Sequence, residues 1–164
     1  MADFYTREQP SEINHKTDTE AKGILPWEAC MTMGQSWGFR KDDGELLSST
    51  ELIRTLVNVV SRGGNLLLNV GPNAEGEIPA PLAARLRDIG AWLDKNGESI
   101  YGTRAIPELQ LTGATCTRKG DKLYLHLASR PGDALSLAGL EGSIQKAWIL
   151  ETGAALTVDE TTKS

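Results

Sequence analysis

Only two cysteines, Cys30 and Cys116, occur in the 164 residues, far apart and without CxxC or Cys/His spacing. That pattern provides neither a zinc site nor a disulfide framework, and both side chains read as buried small hydrophobes. Histidine is as scarce: His15 and His126 are isolated, and neither is assigned as a ligand, so no metal is expected. Basic residues are the minority, 17 Lys and Arg against 22 Asp and Glu, for a formal net charge of -5. With no Lys/Arg stripe to displace counterions from a phosphate backbone, nucleic acid is not the expected partner, and a neutral ligand fits better. Long apolar runs are missing too. Nothing approaches the ~18 consecutive apolar residues of a membrane span, and the first thirty residues are polar, without the h-region of a secretory signal. What remains is a globular composition, 40% hydrophobic, able to bury one core of moderate size.

Along the chain, Met1 to Gly23 are polar and without a sustained period, which reads as loop with a short extended piece at Asp3 to Thr6. The alternation of Trp27, Ala29, Met31 and Met33 with Glu28, Cys30 and Thr32 predicts a strand running into the turn Gly34 to Gly38. Ser48 followed three residues later by Glu51 is a capping box, and it opens an amphipathic helix through Leu52, Ile53, Leu56, Val57, Val59 and Val60. After Gly63 and Gly64, the continuous apolar run Asn65 to Val70 predicts a strand covered on both faces, as in a parallel sheet. A loop from Gly71 to Pro79 leads to a second helix, with Pro81 in its first turn, Leu82, Leu86, Ile89, Trp92 and Leu93 on one face, and Gly97 as its stop.

This order is the rhythm of an α/β barrel or a doubly wound sheet. From about residue 105 the texture changes to short segments, Thr115 to Arg118, Lys122 to Ala128, Leu135 to Leu137, Ile144 to Leu150 and Ala155 to Val158, separated by turn residues. They predict an antiparallel β-domain. No repeat or low-complexity tract is visible. The segment Gly71 to Gly76 follows a strand and precedes a helix, as a nucleotide site would. It lacks GxGxxG and the Lys-Ser/Thr of a P-loop, and Pro72 removes a donor N–H, so no nucleotide cofactor is expected.

Four blocks in order carry a resemblance: Asp3 to Glu8; Trp27 to Cys30; Ser36 to Phe39; and Val59 to Pro72. A fifth, Ile89 to Leu93 with Asn96 to Thr103, accompanies them. Together they resemble the α-L-fucosidases of glycoside hydrolase family 29, closely over residues 3 to 103 and only in texture beyond. The resemblance implies an α/β fold: the last units of a (β/α)8-like TIM barrel in residues 1–104, followed by a partial antiparallel β-sandwich in residues 105–164. Because a TIM barrel takes about 250 residues, the chain is expected to be a fragment, and its compartment stays open.

The implied activity is retaining hydrolysis of terminal α-L-fucosyl residues, with a fucosylated glycan or fucoside as substrate and no cofactor. Such chemistry needs two carboxyl groups ~5–5.5 Å apart. The family's nucleophilic aspartate is expected upstream of this chain. Its acid/base matches Glu8, at the end of an Asp-aromatic-x-Thr-x-Glu stretch in which Arg7 stands where many relatives have proline. An exposed loop carboxylate like Glu12 or Glu20 is the plain structural reading of the same residue. Trp37 matches an aromatic lining the fucose pocket, where an indole offers a flat surface to C–H groups, against the alternative of a core tryptophan. Glu28, beside Trp27 at what should be a strand end, is expected to bind substrate or to form an ion pair beneath the pocket. Asn69 is expected to hydrogen-bond within the barrel top, and Gly63, Gly64 and Gly71 to serve turns. A different class of function, a noncatalytic carbohydrate-binding or interaction module on the same scaffold, is the alternative.

Overall fold

The computed structural model describes residues 5–8, 26–106, 109, 111, 113–129, 131–132, 134–137, 140 and 142–159. Expectations for the rest of the polar N-terminal stretch, including His15, Glu12 and Glu20, lie outside the described residues.

Three strands form a parallel sheet in the order β1 (Tyr5–Glu8), β2 (Trp27–Thr32), β3 (Gly64–Asn69). Helix α1 (Ser49–Val60) connects β2 to β3, because parallel neighbours need a crossover rather than a hairpin. Its start is the capping box read from the sequence. The Ser48 side chain accepts from the Glu51 backbone N–H at 3.2 Å, and the Ser48 N–H donates to the Glu51 carboxylate at 2.7 Å. Leu52 and Val59 are wholly buried with Ala29 and Met33, and this is the main core. Fully burying a side chain of that size contributes ~1.5–3 kcal/mol.

The two faces of β3 are unequal. Gly64 is buried and Leu66 and Leu68 are half-buried, whereas Asn65 is exposed and Leu67 is 44% exposed. The apolar run therefore does not lie under cover on both sides. Helix α1 packs on the sheet, and the face bearing Asn65 and Leu67 is bare among the described residues. Nor is β1 a loop with an extended start: it pairs with β2 in the register Tyr5↔Trp27 to Glu8↔Cys30. Four residues are too few to display a period, so only the neighbouring strand reveals them.

Helix α2 (Ala80–Asn96) carries Pro81 in its first turn and is tied to α1 by Ser49 donating to the Asp88 carboxylate at 2.6 Å. None of its residues is fully buried, and Leu86 on the expected apolar face is 36% exposed. A 3-10 turn (Gly97–Ser99) leads into the antiparallel meander β4 (Arg104–Ala105), β5 (Ala114–Lys119), β6 (Lys122–Leu127). Gly120, at φ 57°, makes the two-residue β5–β6 turn with Asp121. The wholly buried Thr117 donates its hydroxyl to the Ser99 carbonyl at 2.7 Å and so fastens the meander to the end of α2. A last hairpin pairs β7 (Ala147–Trp148) with β8 (Ala155–Leu156). Leu135 to Leu137 form no strand, and Ile144 to Leu150 keep only two paired residues, because a strand needs a neighbouring edge and the described residues offer none there. The result is a mixed helix and strand fold with small antiparallel sheets following a parallel one.

Candidate active site

Strands β2 and β3 end level, at the paired Thr32 and Asn69, while β1 ends at Glu8, paired to Cys30. Glu8 thus sits two residues, about 7 Å, below the level of Asn69. Side chains alternate along a strand, so aligned positions in a parallel pair share a face. By that rule Glu8, Cys30, Leu67 and Asn69 lie on one face, the bare one. The Glu8 side chain is exposed.

Beyond β2 the chain turns sharply. Thr32, 2% exposed, donates its hydroxyl to the Gly34 carbonyl at 2.6 Å, and the Leu47 N–H closes the loop onto the Met33 carbonyl at 2.8 Å. The tip is pinned to β3 twice. Asn69 donates its side-chain amide to the Trp37 carbonyl at 2.6 Å. Gly71 then passes so close that a β-carbon on it would stand 2.5 Å from the Gly38 carbonyl carbon and the Phe39 nitrogen. No side chain fits there, which is why glycine follows the strand. These contacts hold the loop by its backbone and leave Trp37 42% and Phe39 48% exposed. Trp37 is therefore not a core tryptophan. Asn69 does hydrogen-bond, and what it holds is the loop that displays two aromatic rings.

Glu28 is placed elsewhere. The strand begins at Trp27 rather than ending there, so Glu28 lies four residues, about 13 Å, before the end of β2, opposite Thr6 and Asn65. The reason is packing at both ends. Trp27 lies over Gly64 at the start of β3, where an added β-carbon would meet the indole at 2.5 Å, and its Nε1 donates to the Arg62 carbonyl at 3.1 Å. At the other end Met33, 1% exposed, is buried immediately after the last strand residue, Thr32. The ion pairs among the described residues join Lys95 to Glu151 and Lys122 to Glu98, so Glu28 has no cationic partner there. Cys30 is half-buried on the face of Glu8, whereas Cys116 is buried and burial pushes its thiol pKa up. Among the described residues no three His, Cys, Asp or Glu side chains gather as a metal site would require, and no helix is long and apolar enough to cross a membrane.

A family model described as Alpha-L-fucosidase matches residues 2–98. The chain belongs to the alpha-L-fucosidase family. An alpha-L-fucosidase of Branchiostoma floridae is 33% identical over 169 residues, covering 90% of this chain and 38% of that protein. Alpha-L-fucosidase isoenzyme 1 from Paenibacillus thiaminolyticus superimposes with a TM-score of 0.87 at 38% identity, over 96% of this chain and 37% of that one. A family 29 enzyme from Bacteroides thetaiotaomicron, described as a trapped covalent intermediate with 2-fluoro-fucosyl fluoride, gives a TM-score of 0.82 at 31% identity, over 97% of this chain and 37% of that one. The chain thus spans little more than a third of the length of these relatives.

Phe39, exposed beside Trp37, was not singled out from the sequence although it stands in the block Ser36 to Phe39. The available signal was its spacing: two residues after Trp37 and across a glycine, in a turn too short to bury both rings.

Proposed function

We propose that the chain is the C-terminal part of an exo-acting retaining α-L-fucosidase. Residues 1–104 complete a (β/α)8-like barrel, residues 105–164 begin a β-sandwich, and the rest of the protein supplies the remaining strands and the nucleophilic aspartate. The observation that carries this reading is the convergence of Glu8, Asn69 and the Trp37 loop at one end and one face of the parallel sheet. TIM-barrel enzymes build their sites at that end of their strands. The bare face, with Asn65 and Leu67 exposed, is the face that further strands would roll over.

In this site the aspartate attacks the anomeric carbon of the fucosyl group while the Glu8 carboxyl gives its proton to the departing glycosidic oxygen. A water then attacks the same carbon from the vacated side as the Glu8 carboxylate takes its proton, releasing fucose with retained configuration. The covalent intermediate described for the Bacteroides relative supports this two-step course. Trp37 and Phe39 offer flat apolar surface to the C–H groups and methyl of the sugar. Glu28, far below the strand ends, acts at most by orienting groups on the interior face.

The test is E8A in the longer protein containing this chain, assayed on an aryl α-L-fucoside with and without azide. Expected is a loss of about 10²–10⁴-fold in turnover, with azide restoring turnover and yielding α-L-fucosyl azide. Unchanged turnover, or loss that azide does not relieve, removes Glu8 from the acid/base role.

A further inference from the structure

A basic pocket lies where the chain leaves α2 for the β-meander. Gly102, Arg104, Ala105, Ile106, Arg118, Lys119 and Gly120 line an open cavity of about 330 Å³. It stands by the start of β3, since a β-carbon on Gly63 would meet the Ala105 side chain at 3.6 Å. Three of its lining residues are cations and none is a carboxylate, in a chain whose net charge is -5.

The cations are arranged at a cost. Arg104 is paired directly with Arg118 across the β4–β5 ladder, which puts both side chains on one face, and like charges directly opposite destabilise a sheet. Arg118 donates its Nε to the Gly120 carbonyl at 2.8 Å, which anchors the guanidinium by one edge. Lys119 donates to the Tyr101 carbonyl at 2.9 Å. Glu98, the carboxylate close enough for Lys119 to act on, is already taken by Lys122 and by the Tyr124 hydroxyl. Among the described residues the Arg104 guanidinium has no hydrogen-bond acceptor and no carboxylate at ion-pair distance.

We propose that this pocket binds a sulfate or phosphate group. Arg104 and Arg118 both line this cavity, and a guanidinium fork can give a tetrahedral oxyanion two parallel N–H donors. The bound group cancels the repulsion between Arg104 and Arg118. A cavity of this size also has room for the sugar or other group to which the oxyanion is esterified.

Calorimetric titration of the longer protein containing this chain with inorganic sulfate, inorganic phosphate, galactose 6-sulfate and galactose, at ionic strength held constant with chloride, tests this. Sulfate and phosphate are expected to bind saturably and galactose not at all. R104Q is expected to weaken sulfate binding about tenfold or more while leaving the melting temperature in chloride unchanged or raised, because that side chain makes no hydrogen bond among the described residues and its charge opposes Arg118. Tighter binding of galactose 6-sulfate than of sulfate identifies an ester as the ligand, and equal or weaker binding identifies the free ion. Should the oxyanions show no saturable heat beyond that of chloride, or bind R104Q as tightly as the parent, the pocket is no oxyanion site. R118Q gives an independent reading of the same loss.

Discussion

Substituting Gly71 by alanine tests whether the Trp37 loop is held as described. Gly71 has no left-handed backbone to lose, so the perturbation is steric: the new methyl would stand 2.5 Å from two backbone atoms of Gly38 and Phe39. Backbone cannot rotate aside as a side-chain tip can, so the loop must retreat by roughly 0.9 Å to regain ordinary van der Waals contact. A retreat of that size stretches the Asn69 to Trp37 hydrogen bond from 2.6 Å to the edge of bonding distance. Overpacking of this kind costs about 1–3 kcal/mol, and a weakened hydrogen bond up to about 1 kcal/mol more. Taken together, the melting temperature should fall by about 5–10 °C. In fucoside hydrolysis by the longer protein containing this chain, kcat/KM should drop on the order of 10²-fold, the penalty of a 1 Å misplacement at a site. G90A is the matched control. Gly90 lies inside α2 with nothing within 4 Å of an added β-carbon, so the same chemical change should stabilise by about 0.5–1 kcal/mol and leave turnover alone. Thermal denaturation and initial rates of both variants decide the matter. A G71A protein as stable and as active as the parent would refute the close approach of β3 to the Trp37 loop.

Further outcomes are expected elsewhere in the fold. T117V removes a wholly buried hydroxyl and its hydrogen bond to the Ser99 carbonyl, so urea denaturation should show a loss of about 0.5–1.5 kcal/mol. S48A breaks the capping box and should cost α1 about 1 kcal/mol by the same assay. Burial, and then the bond to the Glu98 carboxylate, push the Tyr124 hydroxyl up to about 12. Its ultraviolet titration should therefore run about two units above free tyrosine, and E98Q should bring it partway back. Because this pKa is raised on folding, the stabilising contribution is complete below the ordinary tyrosine value and fades as pH climbs toward 12. Glu98 behaves oppositely: hydrogen bonds from Lys122 and Tyr124 lower its pKa. Its contribution holds above the ordinary carboxylate value and disappears as pH falls through the lowered one, so E98Q should flatten the acid limb of a melting-temperature profile.

Much of this architecture was legible because it is local. Ser48 and Glu51 are three residues apart, and the hydrogen bonds that start α1 involve nothing else. Gly120 and Asp121 make a hairpin turn from their own backbone preferences. Pro81 and Gly97 bracket α2 for the same kind of reason. The strand end expected at Trp27 and Glu28 was misplaced because a strand's end depends on what packs around it: the burial of Met33 and the seat of Trp27 on Gly64, neither visible along the chain. Likewise Leu135 to Leu137 have the composition of a strand without a described edge to pair with.

The one-dimensional order of residues was sufficient for the α/β rhythm, the caps and turns, and the family. Those follow from propensity, from interactions spanning a few residues, and from shared motifs. Tertiary structure alone decided that Glu8 ends a parallel strand on the face of Asn69, that Asn69 and Gly71 hold the Trp37 loop with its rings outward, and that Arg104 meets Arg118. Each of these depends on register between segments far apart in the chain, and register is set by which surfaces bury each other, not by any residue's own preference.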